Sequence, residues 1–187
     1  MEIFTLQVIS TFVSHDRGFI YEPRGFQNID DMNKTIIKNW NNIVNPEDDV
    51  YCLGDIMLND NEAGLNFLKQ LKGNIHIVLG NHDTDTRAKL YKTCYNVVEV
   101  ELALKIKYNG YHFFMTHYPC FTGNLEKESL KKCLCNLYGH THQTTNFYEN
   151  NPYVYHVGVD SHNCTPVLLD NIITDIENET KKCLKFL

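Results

Sequence analysis

Apolar residues along this chain alternate between two spacings, and the alternation predicts its elements. Residues 3–9 are apolar and β-branched, as in a core strand. From Asn28 to about residue 44, Ile29, Met32, Ile36, Ile37, Trp40, Ile43 and Val44 fall three and four apart. That spacing gathers them on one helix face, with Asn28 as the cap and Asn45-Pro46 as the stop. Residues 50–53 predict a short buried strand, followed at once by Gly54-Asp55. A second helix is predicted over about 61–71, with Leu65, Leu68 and Leu71 on one side and Gly73-Asn74 as its breaker. Residues 75–79 repeat the strand pattern and run directly into Gly80-Asn81-His82-Asp83.

Beyond residue 97 the pattern favours strands. Residues 97–107 and 111–116 flank Asn109-Gly110, a strong hairpin signal because both residue types accept positive φ. Residues 134–138 and 153–159 predict further strands, and Asp170 predicts the cap of a last helix carrying Ile172, Ile173 and Ile176. Strands alternating with helices, then paired strands, predict an α/β fold of two mixed β-sheets packed face to face and flanked by helices, a four-layer αββα sandwich. No repeat, low-complexity tract or linker interrupts it, so residues 1–187 read as a single domain.

Composition narrows the function classes. A hydrophobic share of 43% with 21% charged residues is globular. A net charge of −6 counts against holding an extended nucleic acid by its phosphates. A small phosphate ester stays compatible, because bound metal ions supply positive charge locally. No apolar run is long enough to cross a bilayer. Glu2 sits where a signal peptide would be basic, so the first apolar run reads as a strand rather than a targeting segment. Seven scattered cysteines fit a reducing cytoplasm better than a disulfide framework, and Cys133 and Cys135 read as buried strand residues rather than a thiol metal site. The tyrosines and phenylalanines read as core rather than as a base-stacking platform.

Candidate chemistry lies just past the apolar strands: Asp55, then Asn81, His82 and Asp83, then His117, then His140 and His142. Ligands of α/β sheets bind beyond the carboxyl ends of strands, where loops distant in sequence converge. A carboxylate, an amide oxygen and several imidazoles suit manganese, iron, nickel or zinc, and neither a calcium cage nor an iron–sulfur cluster.

The motifs Gly54-Asp55, Gly80-Asn81-His82-Asp83, Thr116-His117 and Gly139-His140-Thr141-His142 resemble, in order and spacing, those of the calcineurin-like metallophosphoesterases, in particular the small bacterial and phage-type members. The resemblance implies that Asp55 bridges two metals, that Asn81, His117 and His140 complete one site, and that His142 belongs to the other. It further implies that His82 protonates the leaving oxygen or steadies the transition state, and that Asp83 orients His82. Two cations roughly 4 Å apart neutralise a phosphoryl group and lower the pKa of a bridging water, which then attacks in line. The implied activity is metal-dependent hydrolysis of a phosphomonoester or phosphodiester.

One motif departs from the family. The first strand should be followed by Asp-x-His, which is absent. One register puts the pair on Ser10 and Phe12, losing both ligands; another puts it on His15 and Arg17, and a guanidinium has no lone pair to give a metal. His15 and Asp16 are candidates to fill the gap as metal or substrate residues. Two outcomes stay open, one metal per chain or two. A different class also stays open: a catalytically weakened relative that binds a nucleotide or a protein through a one-metal module.

Overall fold

Short strands separated by amphipathic helices can pair in parallel only through crossovers, and the first half of the chain does so. The computed structural model of the protein describes residues 6–9, 18–123 and 129–184. Strands β1 (Leu6–Ile9), β2 (Asp49–Cys52), β3 (Asn74–Val78) and β4 (Val97–Glu101) lie in parallel in the order β4-β3-β2-β1. The crossovers carry α1 (Gly18–Tyr21), α2 (Ile29–Ile43), α3 (Asn61–Leu68) and α4 (Asp85–Tyr91).

Asn28 caps α2 as expected, accepting the Asp31 N–H at 2.9 Å, with Asp30 and Asp31 favourably placed in the first turn. The α2 stripe Met32, Ile36 and Trp40 is fully buried. It packs with Phe67, Leu68 and Tyr91 against Val50, Cys52, Ile75 and Ile77 of the sheet. Helix α3 ends at Leu68, short of the expected residue 71, because the buried Asn96 amide takes the Leu68 and Leu71 carbonyls at 2.9 and 2.8 Å. Helix α4, capped by Thr84, has no counterpart in the sequence reading.

The strand expected over 97–107 divides. β4 ends at Glu101 in the first sheet, and β5 (Leu104–Tyr108) belongs to the second. Two-residue alternation runs on through both pieces, so the pattern carries no mark of the change of partner. β5 and β6 (Tyr111–Met115) form the expected antiparallel hairpin, with Asn109 at φ 48° and Gly110 at φ 85°. β7 (Leu134–Tyr138) and β8 (Val154–His156) add in parallel. The strand expected over 153–159 stops at His156, because the chain turns at Gly158, where a Cβ would sit 2.5 Å from the His156 ring.

β9 (Val167–Leu168) pairs antiparallel with β1, and α5 (Leu169–Leu184) closes the chain. Asp170 therefore lies in the first turn of α5 rather than capping it. Its carboxylate accepts from Tyr108 Oη and Asn109 Nδ2, both at 3.1 Å, clipping the hairpin to the helix. Tyr51, Leu53 and Val78 of the first sheet meet Phe113, Met115, Cys135 and Leu137 of the second, and α5 adds Leu169, Ile172 and Ile176 to that same cluster. Two mixed sheets flanked by helices are thus packed so that the loops leaving β2, β3, β6 and β7 meet.

Candidate metal centre

Two backbone turns make the meeting possible. Gly54 leaves β2 at φ 89°, and a Cβ there would lie 2.6 Å from the Gly80 nitrogen and 2.7 Å from His117 Nδ1. A Cβ on Gly80 would lie 2.3 Å from Asp55 Oδ1. The two loops touch backbone to backbone, which only glycine permits. Asp83 fastens the joint: its Oδ2 accepts from Asp55 N at 2.7 Å and Gly80 N at 2.8 Å, and its Oδ1 accepts the Tyr91 hydroxyl. Asp83, implied by the resemblance to orient His82, here joins the β2 and β3 loops. Burial raises its pKa despite those three donors.

Asp55, His117 and His140 each direct a ligand atom into one space, all within 4.8 Å of one another. Asp55 is fully buried. Its Oδ1 accepts the His82 N–H at 2.8 Å. Its Oδ2 has no hydrogen-bond donor aligned on it, although His117 Nε2 lies 3.0 Å away. The His117 ring explains why. Its Nδ1 lies 2.8 Å from the Leu53 carbonyl, which can only accept, so Nδ1 carries the proton. In the neutral ring Nε2 is then a lone pair, and it faces Asp55 Oδ2, Asn81 Oδ1 at 3.0 Å and His140 Nδ1 at 3.1 Å. Two oxygens and the Nε2 lone pair thus converge with one further imidazole nitrogen, and a cation among them would satisfy all four. A carboxylate, an amide oxygen and two imidazoles, one fixed in tautomer by a backbone carbonyl, fit a borderline divalent metal.

The ionisation directions follow from the same contacts. Burial alone would raise the Asp55 pKa, but His117 and the His82 N–H and imidazole outweigh it and hold the carboxyl below its ordinary range. Burial alone would lower the His117 pKa, but Asp55, the Leu53 carbonyl and Asp83 turn the net shift upward. Burial and the neighbouring His117 push His140 down.

His142 lies outside this cluster. Its Nδ1 is 3.2 Å from both Arg24 Nη2 and Asp160 Oδ2. Arg24 grips Asp160 through two bonds, Nε to Oδ1 at 2.7 Å and Nη2 to Oδ2 at 2.9 Å, with side chains only 4% and 13% exposed. His142, Arg24 and Asp160 thus form a second polar group beside the first. Sequence reasoning missed Arg24 and Asp160; their signal was a charged residue within each of two glycine-containing turns, Pro23-Arg24-Gly25 and Gly158-Val159-Asp160. His15 and Asp16 lie outside the described residues.

His82 is partly exposed beside Asp55, its carbonyl held by Arg87 Nη1 at 2.5 Å. Most of the described tyrosines and phenylalanines are core, as expected, but Tyr118 and Phe121, on the loop that follows His117, are 50% and 71% exposed. Sequence reasoning passed over Tyr118.

A two-sheet α/β sandwich with a buried oxygen and imidazole cluster at its strand ends defines a metal-binding class of protein. The model of the calcineurin-like phosphoesterase superfamily domain matches residues 31–165, and the chain belongs to that family. It is 33% identical to an uncharacterized protein of Methanocaldococcus jannaschii over 178 residues, 91% of this chain and 89% of that one. A solved protein of unknown function from Aquifex aeolicus shares the fold, with a TM-score of 0.67 and 22% identity over 92% of this chain and 99% of that one. A novel archaeal phosphodiesterase aligns at a TM-score of 0.47 and 18% identity, over 83% of this chain and 82% of that one. Among the described residues no helix is long and apolar enough to cross a membrane.

Proposed function

We propose that this chain hydrolyses a small phosphomonoester or phosphodiester with a divalent metal held by Asp55, Asn81, His117 and His140. The observation that carries the reading is the convergence of Asp55 Oδ2, Asn81 Oδ1 and His140 Nδ1 on the lone pair of His117 Nε2. When bound, the metal supplies a Lewis acid that neutralises phosphoryl charge and lowers the pKa of water, and manganese suits the donor set. The Leu53 carbonyl fixes the His117 tautomer, and Asp83 holds the β2 and β3 loops at the separation the ligands require. His82, whose backbone N–H donates to Asp55, would protonate the departing alkoxide.

One metal per chain is the loading for which the Asp55, His117 and His140 group provides. Six described cysteines are free, five of them buried, which supports a reducing cytoplasm as the working compartment. The test is turnover of bis(p-nitrophenyl) phosphate by manganese-loaded protein after desalting, beside metal content. Wild type should turn over with about one metal per chain. On a diester whose leaving group is an alkoxide, His82→Ala should keep the metal and lose about 100-fold in rate, the low end for one acid–base group. Metal binding without turnover would leave a binding module, and unchanged turnover of the alkyl diester in His82→Ala would remove His82 from the chemistry.

A further inference from the structure

We propose that Tyr118 is a specificity-determining residue that stacks a planar aromatic substituent of the substrate, so that the site prefers a nucleotide-type phosphate ester to an alkyl one. The inference rests on the hydrolytic reading above and adds the class of substrate. Tyr118 directly follows His117. Its ring lies 4.6 Å from the His140 ring at 65° and 5.1 Å from the His117 ring at 76°, measured between centroids. It therefore packs edge-to-face on both imidazoles of the centre and still leaves half its surface to solvent. Beside the tyrosine His117 is 2% exposed and His140 partly exposed, and Asn81 of the same centre is exposed. A phosphoryl group seated among these ligands would carry its substituent out past the tyrosine.

The loop is held in place rather than left to find substrate by chance. Thr116 Oγ1 donates to the Tyr118 carbonyl at 2.7 Å, and Cys120 N donates to Asn136 Oδ1 at 2.9 Å. Asn136, a fully buried amide on β7, also donates to the Phe114 carbonyl at 3.0 Å and to Thr116 Oγ1 at 2.7 Å. Thr122 Oγ1 bonds the Leu134 carbonyl. A buried polar residue that uses its amide to anchor a surface loop fixes the exposed aromatics on it, so little ordering remains to be done when a ligand arrives. Phe121, 71% exposed on the same anchored loop, supplies a second flat apolar surface. The net charge of −6 disfavours a long polyanion and leaves a single small ester as the partner.

The test compares two substrates with the same leaving group, the p-nitrophenyl diesters of thymidine 5′-phosphate and of ethyl phosphate, with manganese-loaded protein. Wild type should favour the thymidine ester by about tenfold in kcat/KM, the scale of one base-on-aromatic stack. Tyr118→Ala should collapse that ratio toward one, and Tyr118→Phe should keep it; the ratio is the readout, whatever the overall rate. Calorimetric binding of thymidine 5′-phosphate against ethyl phosphate gives the same comparison without chemistry. A wild-type ratio near one in both assays, or a ratio that survives Tyr118→Ala, overturns the proposal and leaves hydrolysis standing. Turnover of neither ester sinks the hydrolytic reading, and the binding ratio then decides the role of Tyr118.

Discussion

Removing one partner of the Arg24–Asp160 pair should destabilise the protein far more than removing both. Arg24 is 4% exposed and Asp160 13%, and two parallel bonds join them. Arg24→Met leaves a buried carboxylate whose remaining partner is His142 at 3.2 Å, and Asp160→Leu leaves a buried guanidinium. Each single change is expected to cost about 3–5 kcal/mol, the cost of an uncompensated buried charge. For a chain of this size that corresponds to a fall in Tm of about 6–20 °C. The double variant removes both charges and should recover most of the loss, because well-packed apolar groups replace a buried pair at little net cost. Urea unfolding of all four proteins at pH 7 closes the cycle. The pH dependence follows from the sign of the shift. Burial would raise the Asp160 carboxyl, but His142 and Arg24 outweigh it and hold it far below its ordinary range. A depressed carboxylate contributes stability above its unfolded pKa and loses it only as pH falls through the folded value. In Arg24→Met the buried carboxylate has lost that cation and burial favours its protonated form, so the gap from wild type should narrow as pH falls from 7 to 5. Single variants costing under about 1 kcal/mol, as for an exposed pair, would refute the reasoning; so would a gap that widens toward pH 5.

Two further outcomes are expected. His156 is 1% exposed and burial lowers its pKa to about 4 from 6.5, so it folds neutral and stability falls with acid across that window. Wild type should lose about 3 kcal/mol between pH 6.5 and 4 through this group, and His156→Gln should show a shallower slope in urea titrations; equal slopes would contradict it. Gly54→Ala, at φ 89° and with its Cβ 2.6 Å from the Gly80 nitrogen, should cost about 2–5 kcal/mol and abolish manganese retention. Retention at wild-type affinity would show that the two loops can separate without loss of the centre.

What the sequence made legible was local, and what it hid depended on partners far along the chain. The α2 stripe and its Asn28 cap follow from spacing and one side chain, so they were readable. The Asn109-Gly110 turn needs only its own φ angles. The place where residues 97–107 leave one sheet for the other depends on which strands accept them, and the alternation of side chains is the same on both sides of it. Asp170 looks like a cap in sequence, but its carboxylate is taken by Tyr108 and Asn109, some 60 residues earlier. Asp83 next to His82 invites the idea that one orients the other, yet the backbone places the Asp83 oxygens on Asp55 N and Gly80 N. Arg24 and Asp160 stand 136 residues apart, and the glycine-containing turn around each marks a turn without naming its partner.

His117 carries the same lesson to the candidate centre. A lone histidine after an apolar strand is ordinarily a packed core residue, and its burial here, at 2% exposed, fits that reading as well as any other. The hydrogen bonds bear on the choice. A core histidine is satisfied when one ring nitrogen donates and the other accepts. His117 donates to Leu53, but its second nitrogen finds a carboxylate oxygen, an amide oxygen and another imidazole nitrogen. Without a metal the contacts can be met by a proton, carried on His140 Nδ1 or on the His117 ring, and the second is the direction in which His117 is shifted. A divalent cation would satisfy the two oxygens and both imidazole nitrogens at once and leave the His117 ring neutral. The polar company at Nε2, rather than the burial, is therefore what supports the proposed ligand role of His117.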